Sequence, residues 1–137
     1  MEKVFHFDSP REVYTADACV ITCFDARFDQ ALRKFLKRLG IGLFDHVKIA
    51  GSAKPWAAPE GDADAEYLLR ALRTSIRLHA PRRLVLIAHN DCGAYPGVAP
   101  EIVAADIARA AAFARKAEPS LDVESYFADF DGIYRVG

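Results

Sequence analysis

Two short motifs in this chain combine side chains that bind metal ions with side chains that do proton chemistry. They are Cys23-Phe24-Asp25-Ala26-Arg27 and His89-Asn90-Asp91-Cys92-Gly93. Two thiolates and one imidazole, from Cys23, His89 and Cys92, suit zinc, because catalytic zinc sites use three protein ligands and keep a fourth position open. The motifs therefore predict one Zn²⁺ site, with a carboxylate and a guanidinium beside it at Asp25 and Arg27.

Asp25 has two candidate roles next to such an ion. If the chain stays extended after the first motif residue, Cys23, Asp25 and Arg27 point to the same side. Arg27 then holds Asp25 in a bidentate ion pair and keeps it ionised. The carboxylate either orients a water on the metal or takes the fourth position itself and closes the site. Asp91, which adjoins a candidate ligand, is interpreted as a cap of the following turn.

The spacing of the residues does not support other chemistries. A phosphatase loop of the Cys-x₅-Arg type needs arginine at position 29 or 98, where the chain has Asp29 and Val98. The glycines of Gly40-Ile41-Gly42 follow a predicted helix and not a strand, so they predict no nucleotide-binding loop. The paired Cys-x₂-Cys knuckles of structural zinc sites are also absent, which favours a catalytic site.

Alternating strands and helices are expected to position the two motifs. Strands are predicted at residues 18–23, 46–50, 83–88 and 123–128, and Asp131-Gly132 predicts a hairpin into an antiparallel edge strand at 133–136. The spacing of apolar side chains predicts helices at residues 29–39, 65–78 and 99–117.

This order predicts the α/β fold class. We expect a single three-layer domain over residues 1–137, with a central, mostly parallel sheet of four strands plus the edge strand, and helices on both faces. Ligands of such sheets gather beyond the carboxyl ends of the strands, where both motifs lie. The loop at residues 51–61, rich in proline and glycine, is interpreted as a rim or lid.

Composition excludes several classes of partner. The 137 residues carry a formal net charge of -1, which argues against nucleic acid and against an anionic membrane as partners. The N-terminus has no secretory signal, so a cytoplasmic location is expected. Three cysteines favour reduced thiols or metal ligands over disulfides, and Cys19, inside the first strand, is predicted to be core. The aromatic residues that flank the motifs form either a pocket for a small neutral substrate or core and dimer contacts; they are Phe24, Phe28, Trp56 and Tyr95.

The two motifs resemble those of the β-class carbonic anhydrases. Their flanks resemble the family as well: Ala50-Gly51-Ser52 is similar to its turn after the second strand, and the residues from Ala88 to Ala94 follow its second zinc motif. Phe130-Asp131-Gly132 is similar to a turn between its last strands. The resemblance covers most of the chain.

The resemblance implies a zinc-dependent lyase that hydrates carbon dioxide to bicarbonate through a zinc-bound hydroxide. Cys23, His89 and Cys92 are then the zinc ligands, Asp25 orients the hydroxide or ligates the metal, and Arg27 positions Asp25. It also implies a homodimer or a higher homo-oligomer.

Three departures from the family pattern keep other functions open. Few residues precede the first strand, and Ser52 to Trp56 replace an asparagine-rich turn. The family also contacts substrate with a glutamine upstream of the first cysteine, whereas the only glutamine here, Gln30, lies downstream. The alternatives are hydrolysis of carbonyl sulfide or carbon disulfide at the same site, or a non-catalytic zinc-binding dimer.

Overall fold

A five-stranded sheet forms the centre of the computed structural model, which describes residues Met1–Gly137. Its strands are β1 (Ala18–Thr22), β2 (Phe44–Lys48), β3 (Arg83–His89), β4 (Asp122–Ala128) and β5 (Ile133–Arg135), in the order β2-β1-β3-β4-β5. The first four strands are parallel, and β5 runs antiparallel to β4. The predicted α/β class and its antiparallel edge strand are confirmed.

Helices cover both faces of the sheet, as the predicted three-layer arrangement requires. They are α1 (Asp29–Arg38), α2 (Ala63–His79) and α3 (Pro100–Ala117), with short 3₁₀ helices at Ala26–Phe28 and Lys54–Ala57. Successive strand residues alternate between two apolar clusters: Val20 packs in the cluster that includes Leu32 and Leu36 of α1. Ile21 packs in the other cluster, with α2 and α3. None of the helices is both long and apolar enough to cross a membrane.

Capping side chains set the helix boundaries more closely than apolar spacing predicts. Helix α2 begins two residues before the predicted start because Asp62 accepts the backbone N–H groups of Asp64, at 2.8 Å, and Ala65, at 3.0 Å. It ends at His79, where Ala80 adopts a left-handed conformation with φ of 45°. Helix α3 begins with Pro100 in its first turn, as predicted.

The predicted bounds of β2 were wrong by two residues. Instead of residues 46–50, the strand covers Phe44–Lys48. The Asp17 carboxylate accepts the backbone N–H groups of Gly42 and Leu43, at 2.8 and 2.9 Å, and this sets Phe44 in register with Ala18 of β1.

The loop at residues 51–61 is packed into the fold at residues 51–53 and at Trp56, which favours a rim over a lid. Trp56, in its 3₁₀ helix, is only 1% exposed and belongs to the core cluster under α2 and α3. Its indole Nε1–H donates to the backbone carbonyl of Ala65 at 3.0 Å. Burial of an indole with a satisfied N–H fixes this loop against α2.

The N-terminal arm, residues 1–13, has no regular secondary structure and lies on the surface. It exposes large apolar side chains, among them Val4, Phe5 and Phe7. Tyr14, which follows it, donates its hydroxyl to the Asp45 carboxylate at 2.5 Å and stacks on the His79 ring at 4.0 Å. The arm therefore leaves the body of the fold beside β2 and the end of α2.

Candidate metal centre

Both chemical motifs lie where the order of the strands reverses. From β1 the chain continues into β2 on one side, whereas β3 lies on the other side of β1. Crevices at such points are the usual ligand sites of open parallel sheets. Cys23 follows β1, His89 ends β3, and Cys92 lies three residues further on; all three side chains are buried. Cys19 is also buried, in the core as predicted.

The structure brings the three predicted ligand atoms into one cluster. The Sγ atoms of Cys23 and Cys92 are 3.9 Å apart, and these sulfurs and one His89 ring nitrogen all lie within 4.8 Å of one another. Two sulfurs bound to one tetrahedral zinc, each at ~2.3 Å, lie about 3.8 Å apart. The thiols are free and far beyond the length of a disulfide bond. The spacing therefore fits a shared zinc ion.

His89 presents an unpaired nitrogen to this cluster. Its Nδ1 lies 2.7 Å from the backbone carbonyl of Asn90, which only accepts, so Nδ1 carries the proton. Nε2 is buried and has no hydrogen-bond partner. The Phe28 ring packs against the imidazole with the ring centroids 4.6 Å apart. A buried lone pair of this kind is costly unless a cation or a donor meets it, which is the state of a metal-binding imidazole.

The hairpin of β4 and β5 fixes the turn that carries His89 and Cys92. The backbone N–H of Asn90 donates to the carbonyl of Ala128 at 2.9 Å, and its side-chain amide donates to Asp129 at 2.9 Å. The Asn90 side-chain oxygen in turn accepts the backbone N–H of Asp91 at 2.7 Å. Hydrogen bonds of Asn90, the first residue of the turn, therefore fix the turn to the sheet.

Backbone N–H groups from two loops influence the ionisation of the Cys92 thiol. Burial raises the pKa of Cys92, and the nearby Cys23 sulfur raises it further, while hydrogen bonds from Ala94 and Gly51 lower it. A divalent cation reverses this balance, because a coordinating thiol loses its proton. Gly51 adopts a φ of 77°, and an added Cβ would lie 3.0 Å from the Ala94 Cβ. The sequence reasoning missed this hydrogen-bonding role of Gly51 and Ala94.

The predicted pairing of Asp25 with Arg27 is present, although the chain does not stay extended. It turns into the 3₁₀ helix at Ala26 because the Asp25 carboxylate accepts the backbone N–H of Arg27 at 3.0 Å. Arg27 Nε lies 3.1 Å from both carboxylate oxygens, and Nη2 lies 2.7 Å from Oδ2. These bonds lower the pKa of Asp25 to about 2. Asp25 Oδ2 is 4.0 Å from His89 Nε2, so an ionised carboxylate lies beside the candidate ligand His89.

Asp91 is a second partner of Arg27 that the sequence reasoning missed. Arg27 Nη1 donates to the Asp91 carboxylate at 2.9 Å, and Nη2 donates to the Asp91 backbone carbonyl at 3.0 Å. The guanidinium also lies over the rings of Phe28 and Phe130, at 5.8 and 5.6 Å from their centroids. Arg27 therefore connects the two motifs directly.

The flanking aromatic residues divide between the two alternatives left open by the sequence. Phe28, Trp56 and Tyr95 are buried, which agrees with core roles, whereas Phe24 is exposed. Lys54 covers the Tyr95 ring, with Nζ 4.5 Å from its centroid, and donates to the Ala94 carbonyl at 2.5 Å. The loop at residues 51–61 is thereby fastened to the end of the second motif.

Comparisons with known proteins find a matching family and similar folds. A family model described as "Putative carbonic anhydrase" matches residues 14–136. No curated protein matches the sequence. A solved carbonic anhydrase from Glaciozyma antarctica is 21% identical, with a TM-score of 0.63 over 92% of this chain and 85% of that one. A carbonic anhydrase from Streptococcus mutans is 15% identical, with a TM-score of 0.67 over 96% and 89%. A β-carbonic anhydrase isoform from Trichomonas vaginalis is 13% identical, with a TM-score of 0.64 over 95% and 87%.

Proposed function

Because the chain belongs to the family described as "Putative carbonic anhydrase", we propose that it is a zinc-dependent lyase. The proposed reaction is the hydration of carbon dioxide to bicarbonate and a proton. The observation that carries this proposal is the buried, unpaired Nε2 of His89, in one cluster with two thiols whose sulfurs are 3.9 Å apart. Cys23, His89 and Cys92 would hold the zinc. Bound there, zinc lowers the pKa of water toward about 7 and so supplies a nucleophile near neutrality.

The residues around the ligands have separate tasks in this proposal. The Asn90 carbonyl keeps the proton of His89 on Nδ1, so that Nε2 is free to bind metal. The N–H groups of Ala94 and Gly51 stabilise the ionised form of Cys92. The Asn90 contact fixes the tautomer of His89 before any metal arrives, whereas Cys92 loses its proton only when a cation binds.

Asp25 is proposed to orient the attacking water. A carboxylate with a pKa of about 2 is ionised at neutral pH and can only accept hydrogen bonds. After the water has lost one proton, Asp25 would accept the remaining O–H and leave an oxygen lone pair free for the carbon of the substrate. Arg27 holds Asp25 in this position through its Nε and Nη2 groups.

Metal analysis and stopped-flow assays test the proposal together. We expect the purified protein to carry about one zinc per chain and to hydrate carbon dioxide between about pH 6 and 9. Cys23→Ser and Cys92→Ser should each lose zinc and activity. Cys19→Ala is the matched control, because this third cysteine lies in the core and outside the cluster. A zinc-loaded protein with no rate above buffer contradicts the lyase, and sulfide release from carbonyl sulfide supports the alternative hydrolase.

We also propose that the protein is a homodimer. The support is the N-terminal arm, whose apolar side chains Val4, Phe5 and Phe7 lie outside both core clusters and are at least 69% exposed. Exposed apolar side chains concentrated in one short segment are typical of an interaction site. A second copy of the chain is the proposed cover for them.

A further inference from the structure

We propose that Asp91 is a positioning residue that controls how readily Asp25 leaves Arg27 to bind the metal. The inference rests on the proposed function, because it needs a metal at Cys23, His89 and Cys92. It concerns the fourth position of that metal, which either stays open or is closed by Asp25. The three ligands themselves do not decide between these states.

The first step is that two carboxylates share one guanidinium. Arg27 uses Nε and Nη2 for Asp25, while Nη1 donates to the Asp91 carboxylate at 2.9 Å. Nη2 also donates to the Asp91 backbone carbonyl at 3.0 Å. The Asp91 side chain is 72% exposed and the Asp25 side chain 21% exposed. The inner carboxylate therefore faces the ligand cluster, and the outer one faces solvent.

The backbone conformation of Asp91 directs its side chain toward Arg27. Its φ of 52° lies in the left-handed region, which is uncommon for a residue other than glycine. The Asn90 side chain holds this conformation by accepting the Asp91 N–H at 2.7 Å. Since Cys92 is the next residue, the contact joins the guanidinium to the ligand loop itself.

When Asp25 moves away from Arg27, the guanidinium still has the Asp91 carboxylate as a partner. Asp25 Oδ2 lies 4.0 Å from His89 Nε2, so a shift of the carboxylate away from Arg27 would let it share an ion held by that nitrogen. That shift breaks charge-assisted hydrogen bonds to Arg27, but Asp91 still compensates the guanidinium. With asparagine at position 91, the departure of Asp25 leaves Arg27 without a carboxylate. We therefore infer that the Asp91 charge favours the closed state and that its removal favours the open one.

Azide binding to the cobalt-substituted protein tests this inference without measuring catalysis. Azide competes with Asp25 for the fourth position, and the visible spectrum of Co²⁺ reports its binding. We expect Asp91→Asn to bind azide about three- to tenfold more tightly than the native protein. Asparagine tolerates positive φ, so the turn should keep its shape, and the melting temperature checks this.

Two controls separate this role from the general loss of a negative charge. Asp131→Asn removes a charge on the neighbouring hairpin, where the Asp131 carboxylate meets the Tyr134 hydroxyl at 3.1 Å and not Arg27. In an Arg27→Gln background, adding Asp91→Asn should change azide affinity no more than Asp131→Asn does. Equal azide affinities for Asp91→Asn and Asp131→Asn overturn the inference and leave the proposed function standing. Failure to bind cobalt at all contradicts both.

Discussion

Three of the reactive side chains of the site, His89, Cys92 and Asp25, have a neighbour that is not itself a candidate ligand. The Asn90 carbonyl sets the proton on His89, the N–H groups of Gly51 and Ala94 meet the Cys92 thiol, and Arg27 holds Asp25. Partners of this kind typically change metal affinity or activity by about 10- to 100-fold when they are removed. Single substitutions around the site should therefore separate metal binding from turnover.

Asp25→Asn should separate these two properties. The amide keeps the size of the side chain but loses the charge that Arg27 stabilises, so it orients water poorly and we expect kcat/KM to fall about 10- to 100-fold. Zinc content should stay at the native value, because the three proposed ligands are intact. Asp29→Asn is the matched control, since Asp29 pairs with Lys48 outside the cluster. A variant with native kcat/KM contradicts the role proposed for Asp25.

Gly51→Ala tests the backbone support of Cys92. The new Cβ lies 3.0 Å from the Ala94 Cβ, so the turn and the N–H groups on the thiol must shift. We expect about tenfold weaker zinc binding, measured by competition with a chelator. Gly61→Ala is the control, because Gly61 has a similar φ of 72° but nothing within 4 Å of the added Cβ. Equal zinc affinities in the two variants would contradict the role of the Gly51 turn in supporting Cys92.

The candidate ligands were predictable because the sequence places them next to strands. Cys23 and His89 adjoin apolar segments that the structure confirms as β1 and β3, and Arg27 pairs with Asp25, two residues away. The contact between Arg27 and Asp91 was not predictable, because it joins positions 64 apart and depends on the left-handed backbone of Asp91. The local sequence pattern predicts neither a contact between distant positions nor a left-handed backbone at an aspartate.

Among the secondary-structure elements, strong periodicity gave reliable predictions and weak periodicity did not. The bounds of β3 and α3 agree with the sequence to within one residue, because long apolar patterns define them. Strand β2 pairs on one side only, and its exposed positions make its pattern weak. The 3₁₀ helix at Ala26–Phe28 was missed because a single side-chain bond from Asp25 produces it.

The Asp45 side chain, on β2, forms hydrogen bonds with side chains of α2 and with Tyr14, which precedes β1. Burial opposes the ionisation of Asp45, but hydrogen bonds from Ser75, Tyr14 and His79 outweigh it and lower its pKa. A lowered native pKa means that the ionised group stabilises the fold above the ordinary value of 3.8. This stabilisation is lost as the pH falls through the lowered native pKa.

Asp45→Asn should therefore destabilise the protein in a pH-dependent way. We expect a loss of about 1–3 kcal/mol at neutral pH, because hydrogen bonds to a charged acceptor become neutral ones. The gap between native protein and variant should shrink as the pH falls below 3.8, because Asp45 takes up a proton in the unfolded chain there and in the folded protein only at the lowered native pKa. Urea denaturation from about pH 7 to pH 3 measures this, with Asp8→Asn in the exposed arm as control. A gap that stays constant with pH contradicts the assignment.

At the scale of the whole molecule, the apolar side chains of the central strands are buried, whereas those of the N-terminal arm are exposed. Helix α1 covers one face of the sheet, and α2 and α3 cover the other, so the body of the fold has buried its central strands. The arm adds no buried residue, yet it carries Phe5 and Phe7 in the open. Burial of these two side chains against a second copy of the chain would stabilise the proposed dimer.

Phe5→Ser with Phe7→Ser should therefore weaken self-association without unfolding the chain. Full burial of one such side chain contributes about 1.5–3 kcal/mol, so the pair should raise the dimer Kd by a factor of about 100 or more. Sedimentation velocity over a range of concentrations measures this. The fold should survive, because both rings are more than two-thirds exposed within one chain. Lys3→Ser with Glu12→Ser is the control, since it changes charged arm residues and leaves the apolar ones in place. A native protein that stays monomeric, or a Kd that is the same in both double variants, contradicts the assignment of the arm to a second copy.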